Sequence, residues 1–248
     1  EKWREQFVHT VRECERLGLE FTTITGPGWT GSGGPWIKAD QSMQHLLPAT
    51  VEAKGPGRFD QVLPLPEPRI SRYHRNQTPQ MRKEIAEFHK DVAVLALPRR
   101  EPVIADIQEK ALFVRNPFTS MPGVRPWFAS PASYPAAKAD QVIDPNAIVD
   151  LTGKLRADGR LVWDVPPGEW TIVRLVARST GANTRPAPAA GLGLESDKFS
   201  RKALQTHFDA FFDPLLKAIG PRPADRKVGF VALDADSWEM SSQNWTPG

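Results

Sequence analysis

Several features are scarce in this 248-residue sequence, and each scarcity excludes a class of protein. The single cysteine, Cys14, excludes an internal disulfide framework and a zinc site built on several thiolates. No run of roughly 18 apolar residues is present, so no membrane span is predicted. Lysine and arginine outnumber aspartate and glutamate by only 32 to 29, which gives no case for a nucleic-acid partner.

Familiar catalytic motifs are also missing. The five histidines show neither an H-x-x-x-H nor an H-E-x-x-H spacing, and no G-x-S-x-G elbow is present. His9 and His207 fall in predicted helices and are interpreted as surface or packing residues. No Gly-Lys-Ser/Thr follows the glycine-rich stretch near residue 30, so a Walker loop is excluded.

Proline and tryptophan are abundant. The 24 prolines are about twice the average usage of about 5%, which argues against an all-helical bundle. Eight tryptophans stand beside only two tyrosines. Because an indole ring is unfavourable at the surface unless it packs or stacks, the positions of the tryptophans are informative. The hydrophobic content of 40% indicates a globular chain.

Helix and strand signals alternate at both ends of the sequence. A three- and four-residue apolar spacing predicts a helix over residues 1–18, and β-branched residues predict a buried strand over 19–25. A second helix is predicted from Ser196 or Ser200 to about residue 219, with a kink at Pro214. A continuous apolar run then predicts a strand over 228–233. This alternation is typical of an α/β fold.

The middle of the chain has short β-type runs separated by glycine and proline. Asp158-Gly159 predicts a hairpin turn, Pro166-Pro167-Gly168 a further turn, and residues 78–90 a helical exception. The pattern predicts an antiparallel sandwich or jelly roll inserted into the α/β body. The predicted domains are 1–45, 46–178 and 179–248, and the predicted strands of the middle block are 91–97, 147–151, 160–165 and 170–177.

Three segments are candidates for a functional site, because active sites of parallel α/β sheets lie beyond the carboxyl ends of strands. The first is Gly26–Trp36, which is either a cradle for a sugar or phosphate with aromatic walls or a tight loop with tryptophan packed inward. Its candidate substrate-binding residues are Trp29, Ser32, Gly33 and Trp36.

The second segment runs from Ser179 to Lys198 and contains Asn183, Glu195 and Asp197. Acidic residues just before a helix are also ordinary first-turn residues. The third segment combines carboxylates, tryptophan and amides after an apolar strand, which suits stacking on sugar rings and bonding to their hydroxyls. Its candidates are Asp234, Asp236, Trp238, Glu239, Gln243, Asn244 and Trp245.

A series of motifs in the same order resembles glycoside hydrolase family 106, the α-L-rhamnosidases. The motifs are Gly28-Trp29 with Ser32-Gly33-Gly34-Pro35-Trp36, Asp91–Ala96, Asp150–Gly153 with Trp163–Trp170, Gly193-Leu194-Glu195 with Asp197-Lys198, and Asp236–Glu239 with Ser242–Trp245.

The resemblance implies a partial (β/α)8 barrel of the TIM type, interrupted by a β-sandwich-like insertion. It implies hydrolysis of terminal α-L-rhamnosyl residues with inversion, assisted by calcium, on a rhamnose-containing carbohydrate. Family members are much longer than 248 residues, so we expect this chain to be an internal piece. Degradation of polysaccharides or glycosides would place the protein outside the cell or in the periplasm.

The implied mechanism needs two carboxyl groups. Glu239 is predicted to be the general acid, since it would follow a strand end beside Trp238, which excludes water. Glu195 is predicted to be the second carboxyl. The alternative is that the second carboxyl lies beyond Gly248, in which case Glu195 would bind a sugar hydroxyl or a metal. Oxygens of Asp197, Asp234, Asp236 and Asn183 are available for calcium, but no D-x-D-x-D-G loop fixes its ligands.

Two other functional interpretations are compatible with the sequence. The tryptophans and the β insertion also suit a non-catalytic carbohydrate-binding protein. A truncated, inactive fragment is the third possibility, since a partial barrel would expose sheet edges.

Overall fold

Two separate sheets and a few short helices make up the described part of the chain. The computed structural model describes residues 2–70, 74, 76–100, 138–222, 225, 227–235, 239–240 and 243–247. The helices are α1 (Lys2–Leu17), α2 (Pro79–Glu87), α3 (Arg201–His207) and α4 (Asp213–Ile219), with a π-helical segment at Phe208–Phe212. The strands are β1 (Glu20–Ile24), β2 (Gln44–Val62), β3 (Lys90–Pro98), β4 (Val149–Asp150), β5 (Arg160–Ser179) and β6 (Gly229–Asp234).

The larger sheet is antiparallel, with the strand order β2-β5-β3-β4. Strands β2 and β5 pair along almost their full length, from Gln44 opposite Ser179 to Val62 opposite Arg160. The predicted Asp158-Gly159 turn is confirmed, since Leu155 bridges Leu161 across it and Gly159 has a φ of +79°. The long strand β2 is absent from the sequence prediction.

Strand β5 continues through Pro166-Pro167-Gly168, where the sequence predicts a turn. The pairing jumps from Gly55 opposite Gly168 to Gly57 opposite Val165, so two residues of β5 face one of β2. Such a bulge inserts one extra residue and exchanges the two faces of the strand. The buried positions accordingly change from odd to even: Leu161, Trp163 and Val165, then Ile172, Arg174 and Val176.

One apolar core stabilises this sheet. The two tryptophans of β5, Trp163 and Trp170, meet edge to face with ring centroids 5.5 Å apart. Arg174 is buried among these strands and forms a bidentate ion pair with Asp91 of β3 at 2.6 and 3.0 Å. The buried core residues are Phe59, Leu63, Val94, Ala96, Leu151, Leu161, Trp163, Val165 and Ile172.

The smaller sheet joins the two ends of the sequence. β1 pairs in parallel with β6, from Glu20 opposite Gly229 to Ile24 opposite Asp234. Helices α1 and α4 pack on this pair. The shared core contains Phe7, Val11 and Leu215, with Phe21 and Phe230 beside them.

The helix predicted up to residue 219 is present but is not uniform. Between α3 and α4 the chain makes a π-helical turn, and α4 begins just before Pro214. Phe212 and Leu215 are buried, whereas Leu204 of α3 is 44% exposed.

The prediction of a partial (β/α)8 barrel is wrong for the described residues. Such a barrel closes with eight parallel strands, but here only β1 and β6 are parallel and neither sheet is closed. The insertion is a single four-stranded antiparallel sheet in the described ranges, not two packed sheets. The barrel was implied by the family resemblance. The helix-strand alternation at the two ends agreed with it, but alternation predicts local elements and not the number of strands in a sheet.

The domain division at 1–45, 46–178 and 179–248 stays a prediction. No helix within the described ranges is both long and apolar enough to span a bilayer.

Replacement of Trp163 by alanine tests the core of the larger sheet. The side chain is 4% exposed and contacts Trp170, so its loss should reduce the free energy of unfolding by about 3–5 kcal/mol. Urea unfolding measures the effect. The matched control is Val62→Ala, because Val62 is 59% exposed on β2 and should change stability by less than about 0.5 kcal/mol. Equal effects of the two changes would contradict this core.

Candidate active site

Three separate parts of the chain meet at the candidate site. The glycine-rich loop Gly26–Trp36 follows β1, the segment Gly193–Lys198 precedes α3, and Gln243–Pro247 follows β6. Isolated backbone bridges join them to each other or to the start of β2: Gly34 to Leu194, Ser42 to Ser196, and Gln44 to Trp245. The structure therefore assembles residues from all three segments that the sequence indicated.

Glu195 lies at the centre of this assembly and is fully buried. Its Oε1 accepts a hydrogen bond from the Ser32 hydroxyl at 2.6 Å and contacts the Lys198 ammonium. Lys198 also donates to Ser32 Oγ at 2.8 Å, and the Ser196 hydroxyl contacts the same oxygen. The buried carboxyl group of Glu195, the ammonium group of Lys198 and the hydroxyls of Ser32 and Ser196 thus form one polar cluster.

Burial controls the charge of this cluster. Burial raises the pKa of Glu195, while the charge of Lys198 and the hydrogen bonds from Lys198, Ser32 and Thr30 oppose the shift. Glu195 Oε2 is buried and makes no hydrogen bond to any residue that the structure describes. That oxygen has free acceptor capacity for a hydroxyl or a water molecule.

Gly33 allows the loop to approach Glu195 closely. A Cβ at this position would lie 2.6 Å from the Leu194 carbonyl oxygen and 2.8 Å from Glu195 Cα, and the φ of +104° favours glycine. Close approach here is between two backbones. The glycine at position 33 is therefore explained by the close approach of the loop to the Leu194–Glu195 backbone.

Asp197 joins the same segment to the end of the chain. Its Oδ1 accepts hydrogen bonds from Gln243 Nε2, from Thr246 Oγ1 at 2.9 Å and from the Phe199 amide at 3.0 Å. Oδ2 is buried and makes no hydrogen bond within the described part of the chain. Asn244 fixes the same stretch to β2, because its Oδ1 accepts from the Leu46 amide at 2.7 Å.

Asn183 lies beside the cluster but has its own partners. It is fully buried, and its Oδ1 lies 3.2 Å from Nδ1 of His74, while its Nδ2 donates to Asn76 at 2.9 Å. Burial lowers the pKa of His74. The neighbouring Ala182 carbonyl accepts from the Glu195 amide at 2.8 Å, which connects this pair to the cluster.

The tryptophans of the site differ in their surroundings. Trp29 is 42% exposed, so its ring can contact a ligand. Trp36 is packed inward, stacked on Phe211 with its Nε1 donating to His207, as one of the two readings of the loop predicted. Trp245 is half-buried and bridges Gln44.

Glu239 is exposed and lies five residues after Asp234, the last residue of β6. Two further predicted residues, Asp236 and Trp238, lie outside the described residues. The structure therefore shows the accessibility of the predicted acid, and its role as general acid stays a prediction.

Sequence reasoning missed the part played by His207. The side chain is 1% exposed, its Nδ1 accepts from the Gly33 amide at 3.2 Å and from Trp36 Nε1 at 3.3 Å, and its Nε2 lies 2.6 Å from the Thr25 carbonyl oxygen. A single histidine in an amphipathic helix carries no signal for such contacts. The sequence analysis also gave Lys198 no role beyond the Asp197-Lys198 motif. Its position three residues after Glu195 could have indicated the ion pair between them.

No three histidine, cysteine, aspartate or glutamate side chains in the described ranges come together to hold an ion. Calcium takes six to eight oxygens, and at Glu195 the nearest positive charge is already the Lys198 ammonium. Calcium dependence stays a prediction from the family resemblance.

Carboxylates, amides and an accessible indole on neighbouring loops are the groups with which proteins bind sugars. Comparison with known families agrees with this chemistry. The chain belongs to the alpha-L-rhamnosidase family of glycoside hydrolases, glycoside hydrolase family 106, whose family model matches residues 1–248. The resemblance found in the sequence motifs is thereby confirmed.

Two individual proteins illustrate the relationship. A putative beta-glucuronidase of Formosa agariphila is 32% identical over 252 residues, which cover all of this chain and 19% of that protein. The structure of a rhamnosidase from Novosphingobium sp. PP1Y matches with a TM-score of 0.70 and 22% identity, over 99% of this chain and 34% of that one. The chain thus spans about a fifth and a third of these relatives, and the second match shows a shared fold.

Separate removal of the two charges tests the Glu195–Lys198 pair. Lys198→Met leaves a buried carboxylate without its counter-charge and should reduce the free energy of unfolding by about 3–5 kcal/mol. The double variant Glu195→Gln with Lys198→Met should recover most of that loss. Chemical unfolding of both single variants and the double variant measures the coupling, and additive effects would contradict a direct pair.

Proposed function

We propose that this chain is part of a glycoside hydrolase that removes terminal α-L-rhamnosyl residues with inversion of the anomeric centre. Membership of the alpha-L-rhamnosidase family supports the reaction class. The observation that carries the proposal is the assembly of Ser32, Glu195, Lys198, Asp197 and Gln243 into one polar site from three distant segments.

Glu239 is proposed as the general acid. An acid that protonates a leaving oxygen must reach the substrate, and the exposed Glu239 side chain meets that condition. Inverting glycosidases place a second carboxyl roughly 6.5–9.5 Å away to activate water. Glu195 is proposed for that role, with its unbonded Oε2 as the acceptor, or as the acceptor of a sugar hydroxyl.

In either role, Lys198 and Ser32 hold Glu195 through Oε1. This arrangement fixes the orientation of the carboxyl group, and the charge of Lys198 opposes the rise in the pKa of Glu195 that burial causes. Exposed Trp29 supplies a face for stacking against a pyranose ring. We also propose that the protein acts outside the cell or in the periplasm, where rhamnose-containing polysaccharides and glycosides are degraded.

The variant Glu239→Gln tests the general acid. A glycosidase without its acid still cleaves substrates whose leaving group needs no protonation. On dinitrophenyl α-L-rhamnoside we expect the variant to keep most of its kcat. On a methylphenyl rhamnoside, which has a poor leaving group, we expect a fall of about 10²–10⁴-fold. Equal loss on both substrates would exclude Glu239 as the acid.

The variant Glu195→Ala tests the second carboxyl. If Glu195 activates water, added azide should replace the lost base and yield a rhamnosyl azide of inverted configuration, detected by NMR. If Glu195 only binds a hydroxyl, azide should give no rescue and KM should rise. The Glu239 and Glu195 variants are assayed both in the longer protein that contains this chain and in the chain itself. Val62→Ala, at an exposed position outside the site, is the control.

Substrate class is tested in the same assay. Aryl α-L-rhamnoside is compared with aryl β-glucuronide, since the relative from Formosa agariphila carries a glucuronidase name. Cleavage of the glucuronide alone would overturn the rhamnosidase proposal and keep the glycosidase. Binding of rhamnose without any turnover would favour the carbohydrate-binding alternative.

Removal of calcium with a chelator tests the proposed calcium dependence. We expect chelation to reduce turnover and added calcium to restore it.

A further inference from the structure

His207 connects four parts of the candidate site. Its ring lies at the end of α3, where the π-helical segment begins, and stacks on Phe211 with centroids 5.6 Å apart. Its Nδ1 faces two donors, the Gly33 amide and Trp36 Nε1, and its Nε2 faces the Thr25 carbonyl oxygen. The helix, the residue after β1, the loop backbone at Gly33 and the loop side chain of Trp36 therefore all contact one imidazole.

These contacts specify the protonation state of the ring. An Nδ1 that receives two N–H groups must be unprotonated, and an Nε2 next to a carbonyl oxygen must carry the proton. The neutral Nε2–H form satisfies all three contacts. Protonation at Nδ1 would place an N–H against two N–H donors and break both contacts to the loop.

The surroundings oppose protonation as well. Burial lowers the pKa of His207, the positive charge of Lys198 acts in the same direction, and the Thr25 carbonyl opposes them. The other rings around it belong to Trp36, Phe211 and Phe212, which do not titrate. The unfolded chain therefore binds this proton at a higher pH than the folded chain does, and stability falls as the pH drops below about 6.5.

We infer that His207 is a proton-sensitive positioning residue, which holds the glycine-rich loop against Glu195 while neutral and releases it when Nδ1 is protonated. The connection to Glu195 is direct, because Ser32 precedes Gly33 and its hydroxyl donates to Glu195 Oε1 at 2.6 Å. The effect on catalysis rests on the proposed function, whereas the attachment of the loop does not.

Hydrogen exchange measured by mass spectrometry tests the loop directly. Peptides that cover residues 26–36 should be protected at about pH 7.5, and protection corrected for intrinsic rates should fall about tenfold near pH 5. Peptides from β5 serve as an internal control for global unfolding and should keep their protection. An unchanged loop at both pH values would overturn the proposal.

Two variants separate the two ring nitrogens. His207→Asn keeps an acceptor near the position of Nδ1 and does not titrate, so the loop should stay protected at both pH values. His207→Gln keeps a donor near the position of Nε2 and should leave the loop about tenfold less protected even at about pH 7.5. The exposed His89→Gln is the matched control and should behave as wild type. The opposite order of the Asn and Gln variants would overturn the role of Nδ1.

Activity gives an independent readout. If the protein is a glycosidase, the fall of kcat/KM at acidic pH should include a component with the same midpoint as loop release. His207→Asn should remove that component and leave the acid limb that the proposed base Glu195 itself produces. An acid limb that persists unchanged in that variant would overturn the catalytic part of the inference. If no glycoside is cleaved, the proposed function fails, and the exchange result still decides whether His207 holds the loop.

Discussion

The buried contact between Glu195, Lys198 and Ser32 is the interaction on which the site depends. Removing a carboxyl group from water is unfavourable unless charge and hydrogen bonds replace the lost hydration. Here the replacement comes from Lys198 three residues away and from Ser32, 163 positions earlier in the chain. The need to satisfy one buried acid therefore holds a loop after β1 against the segment that leads into α3.

The same logic extends outward from the acid. Gly33 is required because its neighbour Ser32 must reach the carboxyl while two backbones are nearly in contact. His207 accepts a hydrogen bond from the Gly33 amide of that loop, and Asp197 accepts one from Gln243 in the segment after β6. Hydrogen bonds connect each of these groups to the next, so the site is a connected network.

The sequence predicts the local elements better than their arrangement. Apolar spacing gives α1, β1 and β6 almost to the residue, and the Asp158-Gly159 turn follows from its dipeptide. The sequence does not predict strand β2, because about half of its residues are exposed and it contains glycine and proline. Contacts such as Ser32 with Glu195 join distant residues, and residue types alone carry no signal for them. The roles of the carboxyl groups came from family motifs rather than from pattern.

The parallel pairing of β1 with β6 has a consequence for the order of folding. About 200 residues separate these strands, so their direct association from an open chain would carry a large loop-closure entropy. The antiparallel pairing of β2 with β5 brings the intervening chain back on itself through contacts that are shorter in sequence. Topology therefore favours formation of the antiparallel sheet first, with the terminal α/β unit and the buried acid completed last.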